Sequence, residues 1–184
     1  MAARLLDAVS LVTPNREFES SYRSLVEEFT SRGERLVPFT LAFEYEQFGD
    51  FLMKLRDNSR GIGIPEGFVA NSSHWLVSDN FQLIGVSNLR HELTPALRLE
   101  GGHIGFGIRP SLRGKGFGVE ILRQTLSRAK SLGLIKVLLT CGKENVASCK
   151  VIVANGGVLA SEEFYPPRNE VLQKYWIDLA TTAT

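Results

Sequence analysis

Arg113-Gly114-Lys115-Gly116-Phe117-Gly118, set between an apparent strand ending at Ile108 and an amphipathic helical run, combines residue types suited to holding a pyrophosphate. Glycines let backbone approach an anion without Cβ obstruction. A helix that follows directs its unpaired N–H groups and the positive end of its dipole at the same anion. Arg113 and Lys115 add mobile positive charge. Spacing then narrows the ligand. A P-loop requires Gly-x-x-x-x-Gly-Lys followed by Ser or Thr, but Gly116 follows Gly114-Lys115 and the first glycine would fall at Arg109. The dinucleotide fingerprint Gly-x-Gly-x-x-Gly would place its last glycine at Val119, and it expects an early βαβ unit that this sequence does not supply. A glycine-rich turn capping an ordinary surface helix, or a phosphate module for some other nucleotide, stays open at this point.

The spacing that fits is Arg-x-x-Gly-x-Gly, which resembles the acetyl-CoA pyrophosphate loop of the GNAT acetyltransferases, a superfamily of acyl-CoA-dependent N-acyltransferases. The likeness continues through strand-like Lys136 to Thr140, then Asn145-Val146-Ala147-Ser148, then Gly156-Gly157 eleven residues after the Asn. Together these segments span Gly101 to Leu159. Arg90-His91 before the central strand and Gly102-His103-Ile104-Gly105-Phe106 within it are similar to a bacterial predicted-acetyltransferase subgroup. The resemblance implies an α+β fold with a mixed, mostly antiparallel sheet flanked by helices. That sheet would splay between the strand ending near Arg109 and the strand ending near Thr140 to hold acetyl-CoA. It also implies main-chain contacts to pantetheine and the thioester oxygen from Phe106, Gly107, Ile108 and Arg109. The pyrophosphate would lie on Arg113, Gly114, Lys115, Gly116, Phe117 and Gly118, with Asn145 and Ser148 beside the pantetheine arm. Gly107 reads equally as a bulge or close-packing residue, Asn145 as a helix N-cap, and Ser148 as a residue bonded within its own helix.

An acetyl-CoA enzyme of this kind needs proximity, an oxyanion donor, a route for the amine's proton and preferably an acid for the departing thiolate. Many GNAT enzymes carry a Tyr seven residues after the Asn as that acid; here the position is Ile152. The departure leaves water, Tyr165 or Cys149 as acid, or no catalysis at all. A thiolate is a tolerable leaving group unaided, because a thiol's pKa is only about 8.5. For the base, His103 comes first because a histidine ordinarily titrates near neutrality, with Glu100 at or near the same entry of the central strand. If Ile104, Phe106 and Ile108 share one sheet face, His103 shares the other with Gly105 and Gly107, a face open to a ligand. A purely structural His103 is an equally available reading. His74, beside Trp75, reads as packing and His91 as a turn residue, so three scattered histidines make no metal site. By resemblance, Ser31 to Phe39 and Tyr165 to Asn169 line the acceptor side, where Arg168 could meet a substrate carboxylate.

These residues must be positioned by surrounding elements. Phe18, Tyr22, Leu25, Val26 and Phe29 recur at helical spacing, as do Phe48, Phe51, Leu52 and Leu55. Trp75 to Ser78, Gln82 to Leu89 and Gly102 to Ile108 read as antiparallel strands, the first pair joined through Ser78-Asp79-Asn80. After the glycine loop, Phe117, Ile121, Leu122, Thr125, Leu126, Ala129 and Leu132 share one helical side, with Gly133 as the stop. Val146 to Ala154 is a short helix, and Val158 to Phe164 and Val171 to Ile177 are closing strands. Without repeats or linkers, the 184 residues read as one domain, and a 43% hydrophobic content supports a real core.

The 21 basic and 20 acidic residues leave a net charge of +1, which argues against a protein built to grip nucleic acid or an anionic membrane. Cys141 and Cys149 are too few for a disulfide framework and fit a reducing cytoplasm. No apolar run reaches membrane-helix length, and the start has neither a signal core nor a myristoylation glycine. The expectation is therefore a soluble acetyltransferase acting by direct attack of a primary amine, a small metabolite ahead of a peptide, with no metal. A non-catalytic acyl-CoA-binding sensor is the alternative that Ile152 supports. A homodimer is compatible with the resemblance, since GNAT domains often pair through sheet edges or helices.

Overall fold

The computed structural model describes residues 8–180. Its first sheet is antiparallel, in the order β1 (Val9–Val12), β2 (Asn71–Ser78), β3 (Leu83–Arg90), β4 (Ile104–Ile108). The second is also antiparallel, with β5 (Lys136–Gly142) and β6 (Val158–Tyr165) on either side of β7 (Glu170–Asp178). Helices α1 (Glu19–Ser31), α2 (Phe48–Ser59), α3 (Pro95–Leu99), α4 (Phe117–Ser131) and α5 (Val146–Ala154) flank these sheets. This is the α+β architecture expected from the sequence.

Strand alternation explains how two helical layers attach. Trp75 and Val77 of β2 pack with Tyr22, Leu25 and Phe29 of α1 and with Phe48, Phe51 and Leu55 of α2. Tyr22 stacks on Trp75 at a centroid distance of 5.2 Å, and Phe51 lies 4.8 Å from the Tyr22 ring. Leu76, between those two strand residues, points the other way, into a cluster with Ile108, Phe117 and Ile121. The period-2 geometry of the strand thus serves both faces, and full burial of each face removes roughly 1.5–3 kcal/mol of unfavourable hydration per large apolar side chain.

Three elements differ from the sequence expectation. Strand β1 is only four residues, too short for alternation to register. Strand β2 begins at Asn71 rather than Trp75, because its polar start is satisfied internally: Asn88 Nδ2 donates to Asn71 Oδ1 at 2.7 Å and to Ser73 Oγ at 3.3 Å. Helix α3 starts at Pro95 with Thr94 as its cap, where no helix was expected.

A pair of hydrogen bonds at the entry to β4 clasps the sheets together. His103 N–H donates to the Leu138 carbonyl at 2.7 Å, and the Leu138 N–H donates back to His103 Nδ1 at 2.9 Å. Beyond that clasp β4 and β5 belong to separate sheets, which opens a gap between them.

Candidate active site

Hydrogen-bond parity decides which backbone groups face this gap. Arg90 N–H donates to the His103 carbonyl and Arg109 N–H to the Ile84 carbonyl. With the β3–β4 register of Val86 opposite Gly107, the odd-numbered residues of β4 therefore bond to β3. Phe106 and Ile108 turn their N–H groups toward the gap. Gly107 lies where the Val37 carbonyl crosses the strand, and a Cβ there would collide with that oxygen. The close-packing reading of Gly107 holds, and Gly105 likewise lies against Pro38. The face expected to be open is thus crossed by the 37–38 segment, with Gly105 and Gly107 each still bordering a cavity.

Two cavities occupy the gap. The first, of about 670 Å³, is lined by Phe106, Gly107, Ile108, Arg113, Gly114, Gly116, Phe117, Gly118, Asn145 and Ser148, with Phe29, Glu34, Arg35, Val37, Leu112, Val119, Ala147, Lys150 and Val151. Gly116 starts α4 at φ +88°, a left-handed conformation that favours glycine, and no side chain caps the helix there. The first-turn amides are therefore available to an anion. Lys115 is exposed at the loop tip and is not part of the cavity wall.

Arg113 is not the mobile cation expected. Its Nη1 and Nη2 donate to the two Glu34 carboxylate oxygens at 3.0 and 2.6 Å, its Nε donates to the Ile108 carbonyl at 3.1 Å, and its guanidinium lies 5.2 Å from the Phe29 ring centre. Hydrogen bonding from Arg113 holds the Glu34 carboxyl below the usual carboxylate range. Arg109 is placed elsewhere altogether. It is 3% exposed and donates to the carbonyls of Leu83 and Ser21, to Ser24 Oγ and, at 2.7 Å, to Glu28. Burial pushes the Glu28 carboxyl up, but hydrogen bonds from Arg109 and Ser111 and the guanidinium charge outweigh it and hold the pKa low. Arg109 ties β3 and β4 to α1 and does not line the first cavity.

Asn145 caps α5, its Oδ1 accepting from Ser148 N–H at 3.1 Å. Both residues also line the two cavities, so the capping and ligand-facing readings coexist.

The second cavity, about 600 Å³, continues past Phe106 along β5, where Leu139, Thr140, Cys141 and Gly142 form one wall. Arg35, Val37, Phe106, Asn145 and Ser148 are common to both cavities. Glu100 lines the second and forms an ion pair with Arg168, whose other nitrogen lies 3.4 Å from Glu170. Arg90 lines it as well, donating from Nη1 to the Gly101 and Gly102 carbonyls at 3.1 and 3.0 Å, with Phe39 5.4 Å from its guanidinium. Burial lowers the Arg90 pKa to about 10.

His103 is not on either wall. It is 6% exposed, its Nδ1 is occupied by Leu138 N–H, and burial, helped by the charges of Arg98 and Arg90, lowers its pKa to about 4. An accepting Nδ1 requires the ring to be neutral there. Tyr165 ends β6 outside both linings. Ile152 is buried at 1% exposure and forms part of the second cavity's wall. Behind that wall Cys149 Sγ lies 3.4 Å from Cys141 Sγ and donates to Gln173 Oε1 at 3.1 Å. Burial, then the neighbouring Cys149, pushes the Cys141 thiol up to about 12, which keeps it protonated.

Arg35 falls within the Ser31 to Phe39 segment expected on the acceptor side and lines both cavities. Glu34 and Lys150 on the first cavity and Arg90 and Thr140 on the second were not singled out as site residues, although Arg90 belongs to the Arg90-His91 pair and Thr140 ends the strand expected at the gap.

Comparison with known proteins bears on the family and the fold. The family model described as an acetyltransferase (GNAT) domain matches residues 24–158. None of the curated proteins matches the sequence. Among solved structures, a dodecameric spermidine N-acetyltransferase from Vibrio cholerae superposes with a TM-score of 0.63 at 17% identity, covering 95% of each chain. The acetyltransferase that modifies the N-terminal serine of a 50S ribosomal subunit protein in Salmonella typhimurium superposes with a TM-score of 0.67 at 14% identity, covering 93% of this chain and 95% of that one. A ribosomal protein α-N-acetyltransferase in complex with coenzyme A gives 0.67 at 14% identity, with 93% and 94% covered. At these identities the likeness is one of fold. Among the described residues, no helix is long and apolar enough to cross a membrane.

Proposed function

This chain belongs to the GNAT acetyltransferases, and from that premise we propose that it moves an acetyl group from acetyl-CoA to a primary amine by direct attack, the acceptor being a small metabolite rather than a peptide. The observation that carries this reading is the meeting of two cavities at Phe106, one ending on an uncapped helix N-terminus and the other lined by charged side chains. Acetyl-CoA supplies a thioester-activated acyl group. The α4 amides, Gly114, Gly116 and Gly118 would receive its pyrophosphate, with Arg113 released from Glu34 to join them. Phe106 and Ile108 N–H groups would bond the pantetheine arm and the thioester oxygen, where they stabilise negative charge as the amine attacks. The protein's own Asn145 and Ser148 border the point where donor and acceptor meet.

Glu100 is the carboxylate on the acceptor wall and takes the place of His103 as proposed proton acceptor. An amine nitrogen becomes strongly acidic as its bond to carbon forms, so a carboxylate can receive the proton directly or through water. The protonated Cys141 thiol is a poor nucleophile, which favours direct attack over an acyl-cysteine route. An acceptor cavity of about 600 Å³ falls within the roughly 300–1,000 Å³ usual for small-molecule sites.

The test is calorimetric titration with acetyl-CoA and CoA, followed by thiol release against amines and amino acids. Binding with amine-dependent release is the expected result. Binding without release for any amine would favour the sensor reading, for which Ile152 at the usual tyrosine position is the supporting observation. Absence of coenzyme binding would refute both.

A further inference from the structure

We infer that the acceptor is an amine that also carries a carboxylate, which Arg90 binds, with Arg168 and Arg35 adding positive potential around it. The inference rests on the transferase reading above and names the substrate class it left open.

Three guanidiniums and one carboxylate face the acceptor cavity: Arg35, Arg90 and Arg168 against Glu100. They are not equivalent. Arg168 is engaged by Glu100 and Glu170. Arg35 is exposed and makes no ion pair among the described residues, and it sits where the two cavities join. Arg90 is the informative one. Its Nη1 is held by two carbonyls and Phe39 lies beside its guanidinium, but no carboxylate lies within ion-pair distance of it among the described residues. Carbonyl dipoles fix the guanidinium plane without neutralising its charge. A largely desolvated cation is unfavourable unless paired, and the remaining donors of its planar fork match a carboxylate in geometry.

Chemistry and electrostatics agree on the same ligand. A cation-rich wall disfavours the ammonium form of an incoming amine and so raises the fraction present as the neutral nucleophile. The same wall would repel an amine that brings only positive charge. A carboxylate on the acceptor reverses that repulsion, anchors the molecule at Arg90, and leaves the amine to approach Glu100 and the thioester.

The experiment is thiol release by the full chain with acetyl-CoA and matched acceptors: alanine and alaninamide, β-alanine and β-alaninamide, 4-aminobutyrate and its amide, and spermidine. At least one acid should exceed its own amide by about tenfold or more in kcat/KM, chiefly through KM, the range of a charge-assisted hydrogen bond. Arg90→Gln should bring that ratio toward one while acetyl-CoA affinity is retained, and Arg90→Lys should restore part of it. If Arg90→Gln fails to fold, the acid-to-amide ratio of the unaltered protein still decides. Amides used as well as their acids, or spermidine as the best acceptor, would overturn the inference and leave the transferase reading standing. Coenzyme binding with no thiol release from any of these amines would count against both.

Discussion

Around the glycine loop the groups available to a ligand are mostly backbone: the first-turn amides of α4, the N–H groups of Phe106 and Ile108, and a left-handed Gly116 that lets the helix begin without a cap. Past Phe106 they are side chains drawn from four separate stretches, Arg35, Arg90, Glu100 and Arg168. Backbone groups are fixed by the fold itself, so the loop half, proposed to hold the acyl donor, changes only if the fold changes. Side chains at the end of β3, after α3 and in the β6–β7 connection can be exchanged with the sheets intact. One scaffold can therefore keep its acyl donor while its acceptor is retuned, and arginines on the two sides of Phe106 should answer to different measurements.

The largest effect is expected at Arg109, which is placed with the scaffold despite its position beside the loop. Arg109→Ala should lower unfolding free energy by about 3 kcal/mol in a denaturant titration, by removing the cation paired with Glu28 and the buried guanidinium donors to the Leu83 and Ser21 carbonyls. The folded protein should keep its coenzyme affinity; a stable variant that no longer binds CoA would return Arg109 to the donor site. Next comes Arg113→Glu, four residues further on. It places a carboxylate opposite Glu34 and in the path of the pyrophosphate, and CoA should bind about 100-fold more weakly by calorimetry with little change in stability.

His103 separates clasp from catalyst. Its ring has a pKa of about 4 when folded against 6.5 in the unfolded chain, so the unfolded state binds the proton more readily. Its contribution to stability is complete above about pH 6.5 and is lost as pH falls toward 4. His103→Gln should cost about 1 kcal/mol at pH 7 through the weakened Leu138 contact and reduce the loss of stability between pH 6.5 and 4, with the part owed to buried His74 remaining. The pH profile of thiol release around neutrality should keep its shape. A profile that loses an ionisation in this variant would restore His103 as the base. The smallest effect belongs to Glu34→Gln, which frees Arg113 and should tighten CoA binding about threefold, the scale of an exposed ion pair.

What could be read from the sequence follows the same division. The glycine loop, the α4 pattern from Phe117 to Ala129 and the Asn145 cap are local: each depends on residues a few positions apart, and each is found where spacing placed it. The roles of Arg109, Arg113 and His103 depend on partners far along the chain, Glu28, Glu34 and Leu138, and no local pattern encodes those pairings. Strand alternation correctly set His103 with Gly105 and Gly107, but it could not reveal that the 37–38 segment crosses that face. The early start of β2 was hidden for a related reason: Asn71 and Ser73 look like loop residues until Asn88 supplies their hydrogen bonds.

The bidentate contact between Glu34 and Arg113 sets beside the loop a carboxylate of the same sign as the pyrophosphate proposed to bind there. A solute that offers one weak point of contact gains little by displacing two short hydrogen bonds already in place. A pyrophosphate that engages the α4 amides at the same moment can compensate for that displacement. Abundant inorganic phosphate and sulfate should therefore compete poorly for this loop, and the crowded anion pool of a cell should leave it clear for the extended ligand proposed above.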